Sequence, residues 1–147
     1  MDINQLKQRE EIFQEFLNLH TGVGFLRIQV YTAQKTFPIV GASVKIWKEI
    51  ENQKFSFGEY ITDQHGFIPL LNLPTCPREH SLYPSDKKMY LNYCVEVSSP
   101  GFIKIVYYTI NIFDNVISVQ HVDLIPEGTL PGKQTQIDIF KTNTIGL

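Results

Sequence analysis

With 147 residues, of which 43% are hydrophobic and 19% charged, the chain fits one globular domain with a core of its own. Its formal net charge of −2, with both signs interspersed, excludes the basic footprint of a nucleic-acid-binding protein and the polybasic run that seeks anionic lipid. Since no apolar run approaches the roughly 20 residues that cross a bilayer, no membrane span is predicted.

The N-terminal segment MDINQLKQREEIF lacks an apolar region after a basic start, so no secretory signal peptide is predicted. We therefore expect the chain to be synthesised and folded in a cytoplasm. Its two cysteines, Cys76 and Cys94, are too few for a disulfide framework, and two free thiols are predicted.

Residues 4–19 are predicted to form one helix ahead of the β-rich part of the chain. Apolar residues recur on one face at helical spacing, and the residues between them are polar. A helix of about four turns is marginal alone in water, so its apolar face must dock on another surface. The residues of this face are Ile12, Phe13, Phe16 and Leu17.

From residue 24 the pattern changes to the period of two that is typical of β-strands. Apolar and polar residues alternate up to Val30, and after Pro38 the alternation resumes through Trp47. The spacing predicts a mainly β protein, a seven-stranded Greek-key β-sandwich with one N-terminal helix. Its remaining strands are expected at 55–61, 67–73, 91–98, 103–113 and 116–124. The predicted core contains Leu26, Ile28, Val30, Val44, Ile46, Val95, Val97 and Val119.

Turn residues and composition set the predicted limits of the domain. In the segment TDQHG, Asp63 can accept hydrogen bonds from backbone N–H groups, and Gly66 can take the left-handed conformation. Residues 1–23 are predicted to form the helix and a linker, 24–126 the sandwich, and 127–147 an extended C-terminal tail. Within the tail, Ile137 and Ile139 alternate with polar residues, which favours either a short edge strand or an extended arm.

The chain carries none of the local motifs that indicate catalysis or nucleotide binding. No catalytic residue, cofactor site or metal site is therefore predicted. Cys76 and His80 are spaced as a ligand pair on a helix would be, but Pro77 between them argues against a helix there. A small cell-wall hydrolase that uses His80, Asp86 or His121 remains the enzymatic alternative.

Aromatic residues form the more promising candidate surface. Tyr31 and Trp47 are predicted on the outward faces of neighbouring strands, and one of the adjacent pair Tyr107 and Tyr108 must also point outward. Exposed aromatic residues close together indicate an interaction site, for protein contact or for stacking of a carbohydrate. The alternative is that the N-terminal helix covers them.

Three segments, PIVGASV, TDQHG and YCVEVSSPGF, resemble carboxypeptidase-regulatory-like domains, which have a prealbumin-like (transthyretin-like) β-sandwich fold. The run SLYPSD and the later VQHVDLIP are also similar to the N-terminal domain of clostridial spore cortex-lytic enzymes. The resemblance implies a non-catalytic module that helps to fold or place what it is attached to.

The chain departs from that family because it ends at Leu147 without a hydrolase domain and begins with an added helix. We therefore expect a non-catalytic binding or assembly module, an accessory protein associated with spores or cell wall. The alternative is a structural component of a phage-tail-like assembly. The expected partner is a protein or a second copy of the chain, with a cell-wall polysaccharide as a further candidate. The predicted partner-binding residues are Ile12, Phe13, Phe16, Leu17, Tyr31 and Trp47.

Overall fold

A computed structural model describes residues 2–78, 89–130, 132 and 134–140 of the chain. Within these residues one helix, α1 (Ile3–Leu19), is followed by nine strands in two mixed sheets. The strands are β1 (Gly22–Thr32), β2 (Phe37–Pro38), β3 (Ser43–Ile50), β4 (Gln53–Ile61), β5 (Leu71–Thr75), β6 (Tyr90–Ser98), β7 (Lys104–Phe113), β8 (Ile117–Leu124) and β9 (Gln136–Ile139).

The central strands of the two sheets are β1 in sheet A and β6 in sheet B. In sheet A, β1 pairs antiparallel with β2 and β5 and parallel with β8. Sheet B has the order β4-β3-β6-β7-β9, in which β9 runs parallel to β7 and the other pairs are antiparallel. Side chains from both sheets form one apolar cluster between them. The mainly β sandwich with one N-terminal helix is confirmed.

Two of the nine strands lie outside the seven that were predicted. Strand β2 has only two residues, and β9 lies in the predicted tail, where Ile137 and Ile139 pack against the core. The strand predicted at 67–73 is shifted, because β5 begins at Leu71 and Phe67 makes only an isolated bridge with Gln29. Pro69 lies between the two pairings, and it has no N–H to donate to a ladder.

Seven of the eight predicted core residues are fully buried, and Val119 is wrongly placed. On β8 the inward side chains are those of Ser118, Val122 and Leu124, so Val119 points outward and is partly buried. The buried Ser118 hydroxyl donates to the Asn111 carbonyl at 3.3 Å. A polar residue on the core face therefore concealed the true alternation of this strand.

Thr62 joins two segments that lie about 20 residues apart in the sequence. Its buried hydroxyl accepts a hydrogen bond from the Ala42 N–H at 2.8 Å and donates one to the Ile39 carbonyl at 2.7 Å. Backbone bonds from Gly41 to Thr62 and from Thr62 to Ala42 lie on either side of it. The segments PIVGASV and TDQHG are thus two halves of one hydrogen-bonded structure.

The predicted turn at residues 62–66 is confirmed, and its residues act on the backbone. The carboxylate of Asp63 accepts from the N–H groups of Phe67 and His65, and these bonds lower the pKa of Asp63. Gly66 has φ +81°, and a Cβ at this position would overlap the carbonyl oxygen of Val30. The arrangement is structural, since each polar group is used to fix the chain.

Substitution of Thr62 by valine keeps the shape of the side chain but leaves the Ala42 N–H and the Ile39 carbonyl without their partner. Each buried group left unpaired should lower the free energy of unfolding by about 1–3 kcal/mol. Urea denaturation of Thr62→Val measures this loss. Thr36→Val, at an exposed position of the β1–β2 connection, is the control and should change stability by less than about 0.5 kcal/mol. Equal effects of the two substitutions would contradict the proposed role of Thr62.

Helix α1 docks on its own sandwich through its aromatic residues. The ring of Phe13 lies 5.7 Å from the rings of both Phe55 and Phe57 on β4, and Phe57 lies 5.0 Å from the buried Tyr93. Phe16 is the one fully buried residue of the helix. The surface on which this face docks therefore belongs to its own sandwich, because β4 presents two phenylalanines to it.

The start of α1 is fixed by polar contacts. Asp2 caps the helix and forms a capping box with Gln5. Arg9 lies over the ring of Phe55 at 4.1 Å and donates to the Gln53 side chain at 3.2 Å and to the Lys54 carbonyl at 3.0 Å. Tyr31 and Trp47 take no part in these contacts, so the alternative in which the helix covers them is not observed. Binding of a partner by the helix face stays a prediction that would require the helix to leave this position.

If α1 stabilises the sandwich by docking, Phe13→Ala should lower the free energy of unfolding by about 1–2 kcal/mol, because Phe13 is partly buried and full burial of a large apolar side chain contributes about 1.5–3 kcal/mol. Leu6→Ala is the matched control, because Leu6 lies on the same helix and is 53% exposed. Thermal and urea unfolding of both variants check this. An unchanged Phe13→Ala variant would mean that the helix is not held by its aromatic face.

Candidate binding surface

Tyr31 and Trp47 lie on opposite sides of the molecule. Tyr31 belongs to β1 in sheet A and Trp47 to β3 in sheet B, and each points away from the core between the sheets. Their prediction on neighbouring strands is therefore wrong. Consecutive strands joined by a turn-rich connection usually pair, but the connection between β1 and β3 crosses from one sheet to the other.

Three aromatic side chains on the outer face of sheet B form a row in which the middle ring contacts the other two. The ring of Tyr108 on β7 lies 6.2 Å from that of Trp47 at an interplanar angle of 86°. The ring of Phe140, directly after β9, stacks on Tyr108 at 4.7 Å and 8°. Trp47 and Tyr108 are partly buried, and Phe140 is 63% exposed. We call Trp47, Tyr108 and Phe140 the aromatic surface.

A bulge in the β6–β7 pairing brings Tyr108 to this surface. The register moves from Tyr93↔Ile110 to Val95↔Tyr107. Two residues of β7, Tyr108 and Thr109, therefore lie opposite the single residue Cys94 of β6. Tyr107 points into the core and is 6% exposed, whereas Tyr108 points outward. The prediction that one of the two tyrosines faces outward is confirmed.

Polar groups surround the aromatic surface. The ammonium group of Lys54 lies 4.3 Å from the centre of the Trp47 ring. The Asp138 carboxylate accepts from the Tyr108 hydroxyl at 3.0 Å and from the Gln136 amide at 2.7 Å. The indole Nε1 of Trp47 is buried and has no hydrogen-bond partner. The surface thus offers a cation and an anion beside its rings, and the indole has a buried donor without a partner.

Next to Trp47 on the neighbouring strand lies the thiol of Cys94, which is buried and therefore reacts slowly. Cys94 is directly opposite Trp47 in the β3–β6 register and is 9% exposed. Burial raises its pKa to about 11, so the thiol stays protonated at neutral pH. Cys94 lies on the outward face of sheet B but is covered, and neither Cys94 nor Cys76 is in a disulfide.

The outward face of sheet A has a different composition from the aromatic surface. In the β1–β5 and β1–β8 registers, Val23 lies opposite Pro74, and Phe25 lies opposite Ile117. Val23 is 43% and Ile117 51% exposed. With Val119 these residues form what we call the apolar face. Sequence reasoning missed it because Val119 was assigned to the core and Val23 to the helix linker.

Tyr31 lies on the same side of the molecule as the apolar face, further along β1, among polar side chains. Its ring centre is 5.9 Å from that of His121, and Asp123 is its partner in the β8 register. The pKa of His121 is lowered, first by partial burial and then by the charge of Lys35. Within the described part of the chain, the imidazole of His121 is the one ring that contacts Tyr31.

Among the described residues, no group of three or more histidine, cysteine, aspartate or glutamate side chains is placed to hold a metal ion. His80 and Asp86, named above for the hydrolase alternative, lie outside the described residues. Across the described ranges, no helix combines the length and apolar character needed to cross a membrane.

No protein-family model and no curated protein sequence matches this chain. Among solved structures, it is similar to the TIE protein of Bacillus anthracis, with a TM-score of 0.49 and 19% identity over 72% of this chain and 17% of that one. A candidate carbohydrate binding protein of Bacteroides uniformis has a TM-score of 0.43 and 10% identity, over 69% and 41%. Catechol 1,2-dioxygenase of Acinetobacter radioresistens has a TM-score of 0.43 and 17% identity, over 78% and 58%.

This chain therefore spans less than two thirds of each of those proteins. Since all three TM-scores are below 0.5, we draw no function from the likeness.

Proposed function

We propose that this protein is a non-catalytic binding module that holds its ligand on the aromatic surface. The observation that carries the proposal is the contact of three aromatic rings from β3, β7 and the end of β9 on one face of sheet B. Phe140, the outermost ring, keeps most of its surface in water, which is costly unless it serves contact with another molecule.

The chemistry of the buried reactive groups supports a non-catalytic role. Burial raises the pKa of Cys94 to about 11 and that of Tyr107 to about 12, and it raises the pKa of Tyr93 further. General acids, bases and nucleophiles act best with a pKa near the working pH. The pKa values of these three groups are instead shifted away from neutral pH.

The setting that we propose is cell-wall or spore material, where the protein is an accessory component. This part rests on the sequence resemblance to carboxypeptidase-regulatory-like domains and to the N-terminal domain of spore cortex-lytic enzymes. A module of that kind needs a surface by which it is placed and no active site of its own. The aromatic surface meets that requirement.

Cosedimentation with purified peptidoglycan sacculi tests the proposal. Tyr108→Ala removes the central ring, and we expect roughly tenfold weaker binding, as for the truncation of a central contact residue. Tyr31→Ala is the matched control, because it removes a partly buried tyrosine from the opposite side of the sandwich. No sedimentation of the unmodified protein, or equal losses in both variants, would exclude the aromatic surface as the binding site.

The apolar face favours a second candidate function, as a subunit of a larger assembly. Large aliphatic side chains on a flat sheet face pack best against a face of the same kind. Among the described surfaces, the one that matches it is the apolar face of a second copy, which a two-fold axis would bring opposite. A phage-tail-like structural component would use such a contact.

Ile117→Glu places a charge in the centre of this contact, and light scattering measures the outcome. If the apolar face joins two copies, the unmodified protein should have the mass of an oligomer and Ile117→Glu that of a folded monomer. Ile61→Glu is the control, because Ile61 is 65% exposed and lies on β4 in sheet B. A monomeric unmodified protein at all concentrations would rule out this candidate.

A further inference from the structure

We infer that the ligand of the aromatic surface is a carbohydrate chain. The inference rests on the proposed binding function of this surface and adds the chemical class of what it binds. Three features carry it: the polar neighbours of the rings, the unpaired indole donor, and the stacking of Phe140.

The neighbours of the aromatic rings do not resemble the centre of a protein interface. In cross-strand register, Trp47 lies between Ser56 and the buried Cys94, and Lys45 lies between Glu59 and Glu96. Charged residues are depleted at the centre of protein–protein contacts, whereas here they lie within two residues of the rings. Rings bordered by groups of both charges suit a ligand that is itself covered with hydroxyl groups.

The groups beside the rings include a hydrogen-bond donor, Lys54, and an acceptor, Asp138, and a hydroxyl group can bond to both kinds. A hydroxyl both donates and accepts, so the hydroxyl groups along a sugar chain can accept from the Lys54 ammonium and donate to the Asp138 carboxylate. The buried Nε1 of Trp47 lacks an acceptor, and such orphan donors in a native protein call for an explanation. A ligand that displaces the side chains covering this atom would provide the acceptor.

Stacking provides the apolar part of the binding. One side of a pyranose ring presents C–H groups, which are weakly positive and pack on the negative face of an aromatic ring. Phe140 has one face against Tyr108 and is 63% exposed. The Lys54 ammonium shows that the face of the Trp47 ring attracts positive groups, and its exposed, flexible side chain can move aside for a ligand.

The fluorescence of Trp47, the only tryptophan of the chain, gives a readout at the site itself. The probes are a hexamer of N-acetylglucosamine and peptidoglycan glycan strands freed of their peptides. We expect a saturable change in emission with at least one of the two probes. Phe140→Ala and Asp138→Asn, both at exposed positions where folding is not at risk, should each weaken it roughly tenfold. Tyr31→Ala should leave the titration unchanged.

The outcomes separate this inference from the function on which it rests. If sacculi are bound through Tyr108 but neither glycan probe changes the emission, the carbohydrate inference is wrong and the binding function stands. The same holds if the isolated stem peptides bind in place of the glycans, or if Phe140→Ala and Asp138→Asn titrate like the unmodified protein. If sacculi are not bound at all, both the function and the inference fail.

Discussion

The hydroxyl of Thr62 is the contact on which the course of the chain depends. It lies between the end of β4 and the start of β3, and it bonds to the backbone on both sides of the connection that carries the chain from one sheet to the other. One buried side chain therefore fixes where β3 begins. Since side chains alternate along a strand, the same contact determines that Val44 and Ile46 point inward and Trp47 outward.

The two outer faces of the sandwich differ because of local irregularities in the strands. In sheet B, the bulge opposite Cys94 turns Tyr108 outward, and the register of β9 places Asp138 and Phe140 beside it. In sheet A, β1 and β8 pair without interruption over eight residues, which places the outward Phe25 opposite Ile117. The outer face of sheet B therefore combines aromatic rings with charged groups, whereas the outer face of sheet A is mostly apolar at one end.

Local patterns predicted the helix, most strands, the turn at residues 62–66 and seven core residues, because each depends on neighbours within a few positions. What the sequence did not reveal depends on long-range pairing. Alternation shows that Tyr31 and Trp47 point outward but not that they belong to different sheets. Phe140 was missed because it stacks on a residue 32 positions earlier in the sequence. Val119 was misplaced because a buried serine broke the apolar pattern of its strand.

Strand β4 connects the helix to the aromatic surface through three consecutive residues. Arg9 of α1 bonds to the side chain of Gln53 and to the carbonyl of Lys54, and it covers the ring of Phe55. Because side chains alternate, Phe55 faces the helix while Lys54 lies on Trp47 at the other side of the sheet. The helix therefore does more than cover an open part of the core. It holds the backbone from which Lys54 extends over the ring of Trp47.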